Sequence, residues 1–241
     1  TLAPLMAAGG VLRESDEPDW QERDFNLLNT GYIQSKWVAE KKVLLARSRG
    51  LPVAVYRPGF ITGDSRRGAW VAPDFFYDLI KGCIQLGCAP AWNAFIGIIA
   101  VDWEAQAIAH IARQPGCHGK TFHLLGQLGR PGAEELSYAG LWAYIRKRGY
   151  PLEEVPHATF YRALKQAADS GLGLDLALRS YVPHLQTPLF TSARKLKYDC
   201  TAAREYLQQA DLLPLPTERL LDLYFDQLEA SGFLSLPPLP K

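Results

Sequence analysis

A glycine-rich dinucleotide loop is missing from this sequence. No Gly-x-Gly-x-x-Gly or Gly-x-x-Gly-x-x-Gly run follows a strand-like segment and opens a helix-like one, and Gly9-Gly10 has neither the spacing nor the context. In nucleotide-binding α/β proteins, that loop places the pyrophosphate at a helix N-terminus. We therefore expect that this chain alone does not bind a dinucleotide tightly.

Other absences narrow the class of protein. No apolar run approaches the roughly 18 residues that a membrane span needs, and no signal-like segment is present. The formal net charge of +1 gives no reason to expect a nucleic acid or an anionic membrane as a partner. An apolar content of 48% and a charged content of 21% are typical of a globular protein, which we expect to be cytoplasmic.

Metal-ligand spacing is also lacking. The sequence has four cysteines in no zinc-like pattern and five scattered histidines without a His-x-x-x-His pair. We therefore expect free thiols, no metal site and no chemistry from the histidines. The cysteines are Cys83, Cys88, Cys117 and Cys200.

A tyrosine and a lysine, Tyr32 and Lys36, are present four residues apart. On a helix, this spacing places a phenol and an ammonium on one face, about one turn apart. A neighbouring cation favours the charged form of a phenol. Such a tyrosine can donate a proton to a carbonyl oxygen while hydride arrives at the carbon. The pair alone also fits an ordinary surface pair, so the following segments decide its meaning.

Those segments form a coherent order. The pattern predicts a helix over 34–48, in which Trp37, Val38, Val43, Leu44 and Leu45 cluster toward a buried side. A short buried strand is predicted over 51–57. A turn-rich loop over 58–64 follows the strand. In open parallel sheets, ligands bind beyond the carboxyl ends of the strands, which is where this loop would lie.

These residues resemble the extended short-chain dehydrogenase/reductases. More narrowly, they are similar to the thioester reductase (terminal reductase) domains of non-ribosomal peptide synthetases, polyketide synthases, carboxylic acid reductases and aminoadipate reductases. The resemblance covers essentially the whole chain and is far more specific than the tyrosine and lysine alone. It is carried by 32–40, 56–65, 68–70, 79–87, 101–102, 119–124, 149–152 and 231–234.

The resemblance implies NADPH-dependent reductive release of a phosphopantetheine-bound acyl or peptidyl thioester from a carrier protein. The product would be an aldehyde or, after a second hydride transfer, an alcohol. Tyr32 would be the general acid, and Lys36 would assist it and bind the nicotinamide ribose. Thr1 fits the position of the third catalytic residue, which polarises the carbonyl oxygen. Its other interpretation is an ordinary chain terminus.

Further binding residues follow from the same resemblance. Pro58, Gly59 and Ile61 would line the nicotinamide from the loop after the strand. Arg66 or Arg67 is a candidate for the phosphate of the pantetheine arm, because guanidinium matches phosphate geometry. Trp70 is a candidate for the acyl channel. A solvated arginine and a core tryptophan are the alternatives for these two residues.

The predicted fold is α/β. Residues 1–125 would form the C-terminal portion of a Rossmann-like, doubly wound parallel sheet, with Asp102 capping a helix over 102–112. Residues 126–241 would form a mostly helical lobe facing the substrate and the carrier protein, including helices predicted to begin at Ser137 and Thr217. One further predicted helix covers 174–180.

The missing loop predicts a reductase truncated at its N-terminus, whose upstream half is a further partner. Two alternatives stay open. One is an extended epimerase or dehydrogenase acting on sugar nucleotides or steroids, which shares the Tyr/Lys pair. The other is a non-catalytic fragment that docks a carrier protein.

Overall fold

The computed structural model describes residues 11–18, 31–72, 74–125, 128, 136–169, 197–208 and 210–237. Thr1 and the predicted helix over 174–180 lie outside these ranges. In the described part of the chain, no helix is long and apolar enough to cross a membrane.

Helices and short strands alternate along the described ranges. The strands are β1 (Val11–Leu12), β2 (Val55–Pro58), β3 (Phe60–Thr62), β4 (Cys88–Pro90), β5 (Phe95–Ile96), β6 (Ile98–Ala100), β7 (Thr121–Leu124), β8 (Leu136–Ser137), β9 (Glu153–Val155) and β10 (Lys197–Tyr198). The helices are α1 (Gly31–Ser48), α2 (Phe75–Leu86), α3 (Val101–Ala112), α4 (Tyr138–Lys147), α5 (His157–Asp169), α6 (Thr201–Leu207) and α7 (Thr217–Ala230).

Parallel pairing dominates the strands. β1 pairs with β10, β2 with β7, β3 with β6 and β4 with β9, all in parallel. β5 and β8 pair antiparallel. Parallel strands need helical or long connections between them, as the chain order shows. The prediction of an α/β fold with parallel strand pairing is thus confirmed, and the described strands form two-stranded sheets rather than one continuous sheet.

The chain divides into two compact units that interleave along the sequence. Unit 1 consists of 1–65, 97–135 and 194–216, and unit 2 of 66–96, 136–193 and 217–241. These units differ from the predicted division at 125/126, because 66–96 belongs to unit 2 and 194–216 to unit 1. The assignment of a cofactor role to 1–125 and a substrate role to 126–241 stays a prediction.

In unit 1, α1 begins earlier than predicted, at Gly31, so Tyr32 and Lys36 lie on one continuous helix. Leu44 is buried on this helix. Three apolar residues that were predicted to share its buried side are exposed instead. Val38 is 43%, Val43 38% and Leu45 50% exposed. This prediction was wrong because it counted apolar residues without the helical angle between them.

The core of unit 1 surrounds β7, whose four residues are all buried. Phe122 stacks on Tyr56 of β2 with a ring-centroid distance of 5.6 Å. Its other neighbour is Tyr206 of α6, at 5.1 Å. The strand is therefore covered on both faces, as is usual for a strand of a parallel sheet.

Asp102 does not cap α3. The N-cap position is Ala100, which makes no side-chain cap bond. The Asp102 carboxylate instead accepts from the Ser65 backbone N–H at 2.8 Å and from the Ser65 hydroxyl at 2.7 Å. A carboxylate in the first helical turn is also favoured by the helix dipole. Asp102 thus fixes the segment that follows β3.

Unit 2 is built around α2, α4 and α7. Asp74 caps α2 by accepting from the Phe76 N–H at 2.9 Å, and Ser137 caps α4, as predicted, by accepting from Gly140. Large side chains of all three helices are fully buried, and removing their apolar area from water stabilises the unit. They include Tyr77, Ile80, Leu141, Trp142, Ile145, Tyr224 and Phe225.

A polar seam joins α4 to α7 at the surface of unit 2. The Tyr144 hydroxyl donates to Asp222 at 2.7 Å. Arg148 pairs with Asp226 at 2.9 Å and with Glu229 at 2.6 Å. Hydrogen bonding to Glu229 and Asp226 raises the pKa of Arg148 even though burial opposes the charge. The seam therefore fixes how the two helices align.

Two glycines of unit 2 provide a matched test of backbone geometry. Gly68 and Gly87 both have φ of +68°, but only Gly68 lies against another backbone, that of Leu223. We expect Gly87→Ala to cost about 1 kcal/mol of unfolding free energy, from the left-handed backbone alone. Gly68→Ala adds a steric clash and should cost roughly 2–4 kcal/mol. Urea unfolding measures both, and equal losses would contradict the contact with Leu223.

Candidate active site

Tyr32 and Lys36 form an exposed pair in the first turns of α1. The Lys36 Nζ atom lies 5.4 Å from the centroid of the Tyr32 ring. Tyr32 is 63% exposed, and Lys36 is exposed as well. The structure therefore brings a phenol and an ammonium onto one accessible face, where both can reach a bound molecule.

Gly59 is the single residue that separates β2 from β3. The Gly59 N–H donates to the Leu124 carbonyl at 2.8 Å, and the Phe60 N–H donates to the Gly97 carbonyl at 2.9 Å. A Cβ atom on Gly59 would lie 2.8 Å from the Gly97 oxygen. Only glycine fits here, because the chain changes its partner strand at this residue. β2 pairs with β7, whereas β3 pairs with β6. Pro58 is half-buried and Ile61 is 39% exposed.

A buried ion pair joins α1 to β2. The Arg57 Nε and Nη2 atoms both donate to Oε1 of Glu40, at 2.9 and 2.6 Å. The side chains are 1% and 7% exposed. Arg57 also donates through Nη2 to the Asp16 carbonyl at 2.6 Å. A charge buried this deeply needs such partners, because the low dielectric makes an unpaired ion very costly.

His123 completes the contacts of Arg57. Its Nε2 lies 3.1 Å from Arg57 Nη1, and its Nδ1 lies 2.9 Å from the Asp199 carbonyl oxygen. Arg57 can only donate and a carbonyl can only accept, so Nδ1 carries the proton and the ring is neutral. Burial, followed by the charge of Arg57, lowers the pKa of His123 to about 4.

Glu14 extends the network to α6. Its carboxylate accepts from the backbone N–H groups of His123, Ala202 and Ala203 at 2.9, 2.6 and 3.0 Å. Two of these amides belong to the first turn of α6, which has no partner for them within the helix. Burial raises the pKa of Glu14, while the three amides oppose that change.

The predicted site residues do not all fall in one unit. Tyr32, Lys36, Pro58, Gly59 and Ile61 lie in unit 1, whereas Arg66 and Trp70 lie in unit 2. The ring of Trp70 packs against Phe233 at 4.5 Å and against Tyr77 at 4.9 Å. Arg66 is exposed. The predicted catalytic residue Thr1 is outside the described ranges.

The histidine of this network was missed from sequence, since no chemistry was expected of any histidine. No local pattern points to His123, because its partners Arg57 and Asp199 lie 66 and 76 residues away along the chain. A glycine spacing of the longer Gly-x-x-Gly-x-x-Gly type also occurs, at Gly126, Gly129 and Gly132 after β7. The next element that the structure describes is β8, a strand.

The four cysteines are free, as predicted, and are buried or half-buried. Burial raises the pKa of Cys83 well above its usual value. A thiol in that state is a poor nucleophile, because the reactive form is the thiolate. We therefore assign the cysteines to packing.

Comparison with known proteins finds an NAD-binding family, a peptide synthetase and a reductase to which this chain is similar. Residues 8–108 match the NAD-binding family model described as "Male sterility protein". A linear gramicidin synthase of Brevibacillus parabrevis is 33% identical over 202 residues, which are 84% of this chain and 4% of that protein. L-2-aminoadipate reductase of Schizosaccharomyces pombe is 31% identical over 246 residues, which are 96% of this chain and 16% of that protein.

A solved structure gives the same result in three dimensions. The terminal R domain from the myxalamid PKS-NRPS biosynthetic pathway superposes with a TM-score of 0.80 at 31% identity. The match covers 95% of this chain and 56% of that one. This chain therefore spans little more than half of the solved domain and a small part of each of the two curated relatives.

The buried neutral His123 predicts a loss of stability in acid. The unfolded chain takes up a proton near the ordinary histidine pKa of about 6.5, whereas the folded protein does so only at about 4. As pH falls through this window, the unfolding free energy should decrease by on the order of 3 kcal/mol relative to His123→Gln, which has no proton to bind. Urea unfolding between pH 4 and 8 measures the difference.

Two comparisons make this measurement specific. Burial raises the pKa of Glu104 to about 8, which changes stability with pH in both proteins alike and cancels in their difference. His118 is exposed, so His118→Gln should leave the pH dependence unchanged. A wild-type protein whose pH dependence matches that of His123→Gln would contradict the neutral buried ring.

Proposed function

Because this chain belongs to the thioester reductase domains of the extended short-chain dehydrogenase/reductases, we propose that it carries the proton-donating part of a site that reduces a carrier-bound thioester with NADPH. The observation that carries the proposal is the exposed pair Tyr32 and Lys36 on α1, 5.4 Å from Nζ to ring centroid. Both groups can reach a bound substrate.

The proposed reaction needs one proton at a defined oxygen. The Tyr32 hydroxyl would donate its proton to the thioester carbonyl oxygen, while NADPH, when bound, would supply hydride to the carbonyl carbon. Breaking the carbon–sulfur bond would then transfer the hydroxyl proton to sulfur, release the pantetheine thiol and leave an aldehyde. A second round of hydride and proton transfer would give an alcohol. The nearby ammonium of Lys36 stabilises the phenolate that Tyr32 becomes.

The residues present fit one end of the cofactor. Lys36 is exposed beside Tyr32 and carries three donors for ribose hydroxyls. Gly59 allows the backbone after β2 to pack closely. In this proposal Pro58, Gly59 and Ile61 line the nicotinamide. NADPH supplies the hydride when bound. The adenine and phosphate groups would be held by the proposed partner, the upstream half of the reductase domain.

The substrate side is assigned to the other compact unit. Arg66 is exposed and offers a guanidinium for the phosphate of a pantetheine arm. Trp70, packed on Tyr77 and Phe233, offers an aromatic wall for the acyl chain. Thr1 remains the proposed third catalytic residue. In this proposal, the helical lobe over 126–241 faces an acyl or peptidyl carrier protein.

Removing the Tyr32 hydroxyl tests the acid. In the intact reductase domain that contains this chain, Tyr32→Phe should lower the rate of hydride transfer by about 10²- to 10⁴-fold, with the affinity for NADPH nearly unchanged. Single-turnover absorbance of NADPH at saturating thioester measures this rate. Tyr206→Phe is the matched control, because its hydroxyl bonds only weakly, to Pro115 at 3.4 Å. A Tyr32→Phe enzyme with near-normal turnover would refute the assignment.

A substrate screen tests the class of reaction. We expect the same domain to oxidise NADPH with acyl-pantetheine thioesters and to leave sugar nucleotides unchanged, because the loop over 63–70 resembles that of thioester reductases. Turnover of sugar nucleotides alone would favour the epimerase or dehydrogenase alternative. Binding of a carrier protein without any NADPH oxidation would favour the docking fragment.

A further inference from the structure

One face of α1 carries three functional groups in succession. Lys36 follows Tyr32 by four residues, and Glu40 follows Lys36 by four more. Residues spaced by four lie nearly above one another along a helix. The first two groups are exposed, whereas Glu40 is 8% exposed. The same side of α1 therefore carries two exposed functional groups, Tyr32 and Lys36, at its start and a buried carboxylate, Glu40, two turns later.

The anchor is directional. Both bonds from Arg57 end on the same oxygen of Glu40, at 2.9 and 2.6 Å, so the carboxylate meets the guanidinium edge in one defined position. Arg57 itself is held by the Asp16 carbonyl and by His123. All three nitrogens of the guanidinium are thus engaged, which holds the group in one orientation.

The other partner of this ion pair, Arg57, lies in β2, which leads to Gly59. Arg57 is the residue before Pro58, and Gly59 is locked by its bond to Leu124 and by the close approach of Gly97. A fixed distance between Glu40 and Arg57 thus fixes the position of α1 relative to Pro58 and Gly59, which are proposed to line the nicotinamide. A rotation or slide of α1 would carry Tyr32 with it, since the helix is continuous.

We propose that Glu40, acting through Arg57, is a positioning residue. It determines the position of Tyr32 and Lys36 relative to Pro58 and Gly59. This inference rests on the proposed function and adds a residue to it. Glu40 touches neither substrate nor cofactor. Its effect is on the position of the proton donor, and misplacement of a catalytic group by about 1 Å costs on the order of 100-fold in rate.

Two near-isosteric variants separate position from charge. Glu40→Gln keeps the length of the side chain and the oxygen that accepts both bonds but loses the charge. Glu40→Asp keeps the charge but shortens the side chain by one methylene, so α1 or Arg57 must shift to restore the pair. We expect kcat within about threefold of wild type for Glu40→Gln and roughly 10- to 100-fold lower for Glu40→Asp. The KM for the thioester should change little in both.

A second background distinguishes positioning from general loss of structure. If Glu40→Asp acts by misplacing the phenol, it should lower the residual single-turnover rate of Tyr32→Phe by less than about threefold, because no phenol is there to misplace. A merely structural defect would lower both backgrounds by the same factor. Circular dichroism at the assay temperature confirms that each variant is folded.

The matched control is the exposed ion pair between α1 and the 11–18 segment. Arg47 pairs with Glu17 at 3.0 Å, and Glu17 is 54% exposed. Glu17→Asp makes the same chemical change as Glu40→Asp and should leave kcat within about twofold of wild type, as expected of a surface pair.

The outcomes separate this inference from the proposed function. The positioning role is overturned if Glu40→Asp keeps kcat within about twofold of wild type, or if it lowers the rate equally with and without the Tyr32 hydroxyl. The proposed function fails instead if the wild-type domain reduces no thioester with NADPH, or if Tyr32→Phe retains full activity. The measurements use the intact reductase domain throughout.

Discussion

The buried guanidinium of Arg57 is the constraint around which unit 1 is organised. A permanent positive charge at 1% exposure is tolerated only when every nearby acceptor is in place. Glu40 supplies the counter-charge from α1, the Asp16 carbonyl supplies an acceptor from the segment after β1, and His123 supplies another from β7. Elements distant in sequence must converge before this charge can be buried.

The same constraint propagates outward through His123 and Glu14. His123 stays neutral because its two ring nitrogens face a donor and an acceptor, and Glu14 ties its backbone to the first turn of α6. A network in which each group is satisfied is rigid, since breaking one bond leaves another buried group unpaired. The reacting residues need not be buried themselves. Tyr32 and Lys36 stay exposed while the helix below them is held.

Some of the site followed from residue types and spacing. The four-residue interval of Tyr32 and Lys36 required only that a helix form there, and α1 includes both. The loop predicted over 58–64 was wrong in its extent, because Pro58 belongs to β2 and Phe60–Thr62 form β3. The Pro-Gly pair instead marks the residue between two strands, and the close approach of the Gly97 carbonyl explains why glycine stands there. The catalytic and binding roles of these residues remain predictions. Asp102 was misjudged, because a carboxylate near a helix start fits a cap equally well, and only the position of Ser65 shows its real partner.

What the sequence determined by itself is therefore local: the helix that carries the Tyr/Lys pair, the strand and turn after it, and the resemblance that gives them a chemistry. Periodicity and turn chemistry depend on residues that are close together in the sequence, so they can be recognised from the sequence alone. Tertiary structure alone decided which charges pair in the interior. Arg57 is 17 residues from Glu40 and 66 residues from His123. Their contact depends on the parallel pairing of β2 with β7, which no local pattern specifies.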